Sequence, residues 1–146
     1  AAGRVIFSIG VPDDLRTHHR GYRLVAGLNY FNNTLLGNPA WAWGAKTEID
    51  FTCSQYNDYV YGVPEPYAND QRPAYNASGG YAGIMGAVYF IRRFTDTVSL
   101  AVYTRFDNIA GAVYESSPLV ETQNNVTVAA SLIWKLKESS ESAPAN

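Results

Sequence analysis

Apolar and polar residues alternate with a period of two along most of this chain, and that period limits the possible folds more than any other feature. The clearest run is TVSLAVYTRFD, residues 97–107, in which even-numbered positions are mostly apolar and odd-numbered positions mostly polar. Successive strand side chains point to opposite faces, so this run predicts a strand with one apolar face. Residues 42–54 and 125–136 alternate in the same way, and 3–10, 22–31 and 81–91 do so less cleanly. The sequence therefore predicts six strands and no helix.

The composition narrows the class of protein. The chain has 146 residues, enough for one domain, and only 16% of them are charged, against about 25% in an average soluble protein. The formal net charge of −2 leaves no broad basic surface for a nucleic acid, so no nucleic-acid partner is expected. No run of 18 apolar residues is present, which argues against a transmembrane helix. The single cysteine, Cys53, is read as a small apolar residue of a strand.

The connections between the predicted strands alternate in length. Residues 11–21, 57–80 and 110–122 are long connections, whereas RRFTD, residues 92–96, is a short turn. Long loops on one side and short turns on the other are typical of outer-membrane β-barrels. We therefore expect an antiparallel up-and-down transmembrane β-barrel, with outer-membrane lipid around it and the long loops outside the cell.

Aromatic residues are concentrated at the ends of the predicted strands. Rings of this kind mark the two membrane–water interfaces of a barrel, whereas a general preference for strands would not favour strand ends. The predicted aromatic girdle consists of Tyr22, Tyr30, Trp41, Trp43, Tyr56, Tyr81, Phe90, Phe106 and Trp134. In this interpretation Tyr56 is the point at which the strand from Trp43 leaves the bilayer.

Ionisable residues lie in mid-strand on the opposite face. They would point to a polar barrel interior or to solvent in a soluble sandwich, and their spacing fits both. These candidate lumen charges are Lys46, Glu48, Asp50, Arg105 and Asp107. Six strands are fewer than the eight of the smallest single-chain barrels, and open edges are forbidden in hydrocarbon. Further N-terminal strands, another chain or several copies must therefore close the barrel.

The segment QYNDYVYGVPEP, residues 55–66, opens the longest connection and is rich in tyrosine and proline. Loops beyond about 12–15 residues are usually functional or disordered. We expect this one to be structured, and its tyrosines are candidates for recognition of a partner. The candidate residues are Tyr59, Tyr61, Tyr67 and Tyr75.

Catalytic and metal-binding arrangements are poorly represented. His18 and His19 are adjacent in a polar loop without the ligand spacing of a metal site. Glu48 and Asp50 share one strand face and could form an acid–base pair, but a charge ladder with Lys46 explains them more simply. No G-x-S-x-G motif is present. We therefore predict neither an enzyme nor a cofactor or metal site.

Four elements in order resemble the MipA/OmpV family of Gram-negative outer-membrane proteins, also called MltA-interacting protein. They are QYNDYVYGV, RPAYNASGGY, YESSPLV and a final alternating strand, and the resemblance covers residues 43–136. It implies a closed antiparallel barrel in the outer membrane, with no catalytic residues to transfer. Family members are longer, so the chain corresponds to a C-terminal portion. The family's association with a lytic transglycosylase and a peptidoglycan synthase implies partners among peptidoglycan-remodelling enzymes or other envelope proteins.

The combined prediction is a barrel segment over residues 1–136 and a polar, disordered tail over 137–146. Its function would be that of a scaffold or surface-interaction protein of the cell envelope. Two other functions stay open at this point. One is a soluble β-barrel that binds a small ligand at a tyrosine-lined mouth, and the other is a pore or an adhesin.

Overall fold

The computed structural model describes residues 3–10 and 21–136, which form one antiparallel sheet of six strands. The strands are β1 (Arg4–Gly10), β2 (Arg23–Asn32), β3 (Trp41–Thr52), β4 (Gly80–Arg93), β5 (Val98–Asn108) and β6 (Asn124–Trp134). Each strand pairs with its neighbour in sequence, which confirms the predicted up-and-down topology. Since β1 and β6 do not pair with each other, the sheet is open, as one part of a barrel would be.

The strand register sorts the side chains into two faces. Lys46 is opposite Ala87, which is opposite Arg105, so these residues share the face that we call the polar face. Trp43 is opposite Phe90, which is opposite Val102, and these residues share the apolar face. The alternation read from the sequence therefore carries over from strand to strand without a slip between these positions.

Large apolar side chains are exposed on the apolar face of the sheet, which is unusual for a protein in water. Side chains of the apolar face are exposed, for example Val102 and Phe106 on β5 and, at the sheet edge, Leu132 at 70%. Several residues of the polar face are buried, including Met85 at 3% and Ala42 at 0%. A contiguous apolar surface of this kind needs an apolar environment, because exposing it to water costs about 25 cal/mol per Å².

A β-bulge interrupts the pairing of β3 with β4 near the long connections. Asp50 is opposite Gly83, but the next residue, Phe51, is opposite Tyr81, so Ala82 has no partner on β3. Gly83 has φ +128°, a conformation that is strained for any residue with a Cβ. A bulge of this kind bends the strand and re-aims its backbone groups. Here it leaves the carbonyl oxygens of Tyr81 and Ala82 to the loop residues described below.

The long connection between β3 and β4 contains helical structure, so the prediction of a chain without helix was wrong. Strand β3 ends at Thr52, and helix α1 follows as Ser54–Tyr61, with a 3₁₀ helix at Glu65–Tyr67. Its sequence, SQYNDYVY, is made of moderate helix formers, and buried contacts of Asn57 with the sheet hold it in place. Cys53 is the N-cap residue of α1 rather than a strand residue.

Three sequence predictions lie outside the described residues. They concern His18 and His19, the connection 11–20 and the polar tail 137–146. The division into a barrel segment and a tail therefore stays a prediction.

Candidate functional site

A cavity of about 330 Å³ opens on the polar face, at the end of the sheet where the long connections leave. Its strand-borne lining includes Arg23 of β2, Asp50 of β3, Arg105 and Asp107 of β5. The loops that cover this end of the polar face contribute further residues, namely Tyr56, Tyr61, Ile109 and Tyr114. The site thus consists of charged strand residues, which we call the floor, covered by tyrosines from the long connections.

The charged residues of the floor are paired with one another. Arg23 donates to Asp50 with an Nη2–Oδ2 distance of 2.7 Å. Arg105 donates from Nε to both carboxylate oxygens of Asp107, at 2.8 and 2.7 Å. The cavity therefore has two cations and two anions and no net charge. Deeper along the same face, Lys46 Nζ lies 2.7 Å from Glu48 Oε1. All five candidate lumen charges are on this face, and so is Arg23.

The cover over the floor, which we call the loop cap, consists of residues 53–79 and 109–123. Its halves meet where the rings of Tyr61 and Tyr114 stack, with centroids 3.8 Å apart and planes 7° apart. Ser117 Oγ donates to the Tyr61 carbonyl oxygen at 2.7 Å, and Tyr75 Oη donates to that of Val113 at 3.3 Å. Small buried residues, Ala77 and Ala112 among them, pack between the halves. The cap is a packed unit rather than two independent loops.

The β-bulge fastens the cap to the sheet. The Val113 N–H donates to the Tyr81 carbonyl oxygen at 2.9 Å, and Tyr114 Oη donates to that of Ala82. Both acceptors lie where the bulge interrupts the pairing with β3. Burial raises the pKa of the Tyr114 hydroxyl above its ordinary value, and the contact with Tyr61 adds to this effect.

Asn57 on α1 anchors the other half of the cap. Its side chain is fully buried, and its Oδ1 accepts a hydrogen bond from Thr52 Oγ1 at 2.7 Å. Its Nδ2 donates to the Ser78 carbonyl oxygen, also at 2.7 Å. One amide thus joins the end of β3, the helix and the segment that returns to β4. Sequence reasoning missed Asn57 and Tyr114, because no local sequence pattern indicates that a polar side chain will be buried and hydrogen-bonded to a distant element.

The four tyrosines predicted to recognise a partner divide into two pairs. Tyr61 and Tyr75 are half-buried and pack against the core of the cap. Tyr59 and Tyr67 project outward, with exposed fractions of 59% and 68%. The first pair has a structural place in the cap, and a recognition role for the second pair stays a prediction.

The predicted girdle residues lie near the ends of the strands, with one exception. Tyr56 is on α1 and lines the cavity, so its predicted position at the end of a strand was wrong. Even in a continued strand, the side chain of Tyr56 would lie on the face of Glu48 and Asp50 rather than on that of Trp43, because successive side chains alternate between the faces. At the short-turn end, Tyr30 contacts Trp43 at a centroid distance of 5.1 Å, and at the other end Phe51 contacts Tyr81 at 6.2 Å. Contact of these rings with a membrane interface stays a prediction.

The distance between the two ends fits a bilayer. From Trp41 to Phe51, at about 3.3 Å per residue, β3 advances about 33 Å. A strand tilted by about 40° would then cover about 25 Å of membrane depth, the height of the apolar band of outer-membrane barrels.

A second unusual feature lies at the short-turn end, in the connection between β2 and β3. Leu36 and Gly37 both have positive φ, at 51° and 81°, and Leu35 and Asn38 exchange backbone hydrogen bonds around them. This is the geometry of a two-residue type I′ turn, whose first position favours asparagine or glycine. Leu36 is nevertheless there and is fully exposed. The Leu-Gly pair is visible in the sequence, but sequence reasoning did not single it out.

The neighbouring turn completes a surface at this end, which we call the turn-end surface: Leu36, Pro39, Arg93 and Phe94. Arg93 Nη1 donates to the carbonyl oxygens of Pro39 and Asn33, at 2.8 and 3.3 Å, and so fastens the two turns together. Phe94 is exposed beside them. A shallow cleft of about 270 Å³ lies between the turns.

Within residues 3–10 and 21–136, no group of three or more His, Cys, Asp and Glu residues could hold a metal ion. Over the same ranges, no helix is both long enough and apolar enough to cross a membrane.

Comparison with known proteins supplies the family. The model of the family described as MltA-interacting protein MipA matches residues 2–136. Outer membrane protein OmpV of Vibrio cholerae serotype O1 is 31% identical over 123 residues, which are 83% of this chain and 45% of that protein. Outer membrane protein Omp26La of Vibrio anguillarum shows the same identity and coverage. The chain thus spans less than half the length of these relatives, and no solved structure is significantly similar to it.

These matches confirm the resemblance read from the sequence, and the names of both relatives agree with the apolar, exposed face of the sheet. The chain therefore belongs to the MltA-interacting protein (MipA) family and is an outer-membrane β-sheet protein.

Proposed function

We propose that the protein is a non-enzymatic scaffold of the cell envelope that holds a periplasmic partner, a peptidoglycan-remodelling enzyme, through the turn-end surface. The observation that carries this proposal is the conformation of Leu36, an apolar residue with φ 51° that is fully exposed at the tip of a turn. Strained, exposed apolar residues lower stability, and they persist at sites where something else benefits from them.

The location of Leu36 supports a partner on the periplasmic side. Barrels of this class keep short turns in the periplasm and long loops outside. The turns of residues 33–40 and 94–97 are the short ones, and Arg93 holds them together. The centre of a protein interface is typically apolar and enriched in arginine, and Leu36 is on the turn whose Asn33 and Pro39 carbonyl oxygens accept hydrogen bonds from Arg93. The name of the family, MltA-interacting protein, is consistent with a protein partner.

The test is Leu36→Asn, because asparagine suits a positive φ and removes the apolar side chain. The folded barrel should be as stable as the wild type or slightly more so. Capture of a purified lytic transglycosylase by the protein in detergent should weaken about tenfold to a hundredfold, the value of burying one leucine. Tyr67→Ser, at the opposite end of the sheet, is the control and should leave capture unchanged. Equal capture by the Leu36→Asn variant and the wild type would rule out this surface, and loss of capture in the control would place the partner at the other end.

A further inference from the structure

The cavity under the loop cap has a lining that defines a ligand class. Its volume of about 330 Å³ lies within the range of small-molecule sites, about 300–1,000 Å³. It opens at the end of the sheet that carries the long loops, which are extracellular in barrels of this class. A small molecule outside the cell could therefore reach it.

The ion pairs argue against a charged ligand. Arg23 is held by Asp50, and Arg105 is held by both oxygens of Asp107. A ligand carboxylate would have to separate an arginine from its partner, and a ligand ammonium would have to separate a carboxylate. Breaking a partly buried pair leaves one charge without compensation, which is costly. The lining therefore favours a ligand without net charge at its contact points.

The polar side chains of the lining are well suited to form hydrogen bonds with the hydroxyl groups of a ligand. A carboxylate that pairs with arginine keeps lone pairs free for further donors, and the amide of Asn125 in the lining can both donate and accept. Asp50 Oδ1 is buried and accepts no hydrogen bond from a described residue, which leaves the site one unsatisfied acceptor. The rings of Tyr56 and Tyr61 add aromatic surface above the polar floor. Polar groups and aromatic rings that line one cavity match the hydroxyl groups and the C–H face of a sugar ring.

We infer that the loop cap and the charged floor form a binding site for a neutral sugar. The site is separate from the turn-end surface, which lies at the opposite end of the strands, and does not depend on the scaffold role. It also gives the loop cap a function, because the stack of Tyr61 on Tyr114 holds one wall of the cavity in place.

The experiment is saturation-transfer difference NMR on the protein in lauryldimethylamine oxide, a detergent without a sugar headgroup. The probes are methyl glucoside, glucuronate and glucosamine, which have similar rings and carry zero, negative and positive charge. The neutral probe should bind in the millimolar range, and each charged probe should bind at least tenfold more weakly. Tighter binding of either charged probe, tighter binding of a free amino acid, or no binding of the neutral probe would overturn the inference.

Matched variants locate the binding. Tyr56→Leu and Asp50→Asn should each weaken binding of methyl glucoside at least threefold, whereas Tyr59→Leu, on the same helix but outside the cavity lining, should not. Asp50→Asn leaves Arg23 without its carboxylate and could impair folding, so Asn125→Ala on the exposed edge strand β6 provides a second test of the floor. Unchanged binding in Tyr56→Leu and Asn125→Ala would place the sugar elsewhere and overturn the assignment.

Discussion

The ring of Tyr61, at the end of helix α1, lies parallel to the ring of Tyr114 from the next long connection, with centroids 3.8 Å apart. This contact joins loops that leave different strands of the sheet. Together with the hydrogen bond from Tyr114 to the bulged Ala82, it makes the loop cap a fixed part of the sheet. The end of the sheet that carries the long connections is therefore a packed surface, which the proposed sugar site requires.

Tyr114→Phe tests the attachment of the cap. The variant keeps the ring stack but leaves the Ala82 carbonyl oxygen without its donor, which should lower the free energy of unfolding by about 1–2 kcal/mol. Guanidinium unfolding from lipid vesicles, followed by tryptophan fluorescence, would measure this. A variant as stable as the wild type would show that the hydrogen bond contributes nothing to the cap.

The same residue predicts a dependence on alkaline pH. The folded state holds the Tyr114 proton more tightly than the unfolded state, whose pKa has the ordinary value of 10.0. This contribution to stability is complete below pH 10 and is lost as pH rises from there through the raised pKa of the folded state. The decline in stability above pH 10 should therefore be steeper in the wild type than in Tyr114→Phe. Equal slopes would contradict the prediction.

Asn57→Ala tests the inner anchor of the cap. The substitution leaves the buried Thr52 hydroxyl and the Ser78 carbonyl oxygen without their partner, at a cost of about 1–3 kcal/mol. Limited proteolysis should then cleave residues 53–79 at least tenfold faster than in the wild type. Asn76→Ala removes an exposed amide of the same connection and should change stability by less than about 0.5 kcal/mol. Similar cleavage of both variants would mean that Asn57 is not an anchor.

Two glycines on neighbouring strands provide a test of the interior packing. The Tyr89 ring lies over Gly44 on the polar face, where an added Cβ would overlap it, and Tyr89 also stacks against Phe31. Gly86, opposite Thr47 on the apolar face, has open space where a Cβ would lie. Gly44→Ala should cost about 1–3 kcal/mol through overpacking, and Gly86→Ala should not cost stability. Heat-modifiable migration on gels would compare the two, and a larger effect of Gly86→Ala would contradict this account of the polar face.

The strands could be predicted because the period of two reflects a sheet with different environments on its faces, and residues 97–107 show it without ambiguity. The alternation of long and short connections could be predicted as well, because the ends of the strands mark where each connection begins. Helix α1 could not be predicted, because its stability comes from the contact of Asn57 with Thr52 and Ser78 rather than from its own sequence. Tyr56 was assigned to the wrong element for the same reason.

The candidate site could be predicted only in part. Asp50, Arg105 and Asp107 were expected on one face, since each is in mid-strand and has the right parity. Their pairing and the position of the cap above them depend on the register and on the bulge at Ala82, which local sequence does not encode. The cavity itself is a tertiary feature of β2, β3, β5 and the loops.

The central claim is that the apolar face of the sheet contacts lipid, and nitroxide labels at adjacent positions of β5 test it most directly. Single cysteines at Val102 and Tyr103, introduced into a Cys53→Ala background, would carry the label in lipid vesicles. Collisions with oxygen, which concentrates in hydrocarbon, and with a water-soluble nickel chelate report the environment of each label. The label at Val102 should collide more with oxygen than with nickel, and the label at Tyr103 should not. Preference for the nickel chelate at Val102, or the lipid pattern at Tyr103 alone, would contradict the claim.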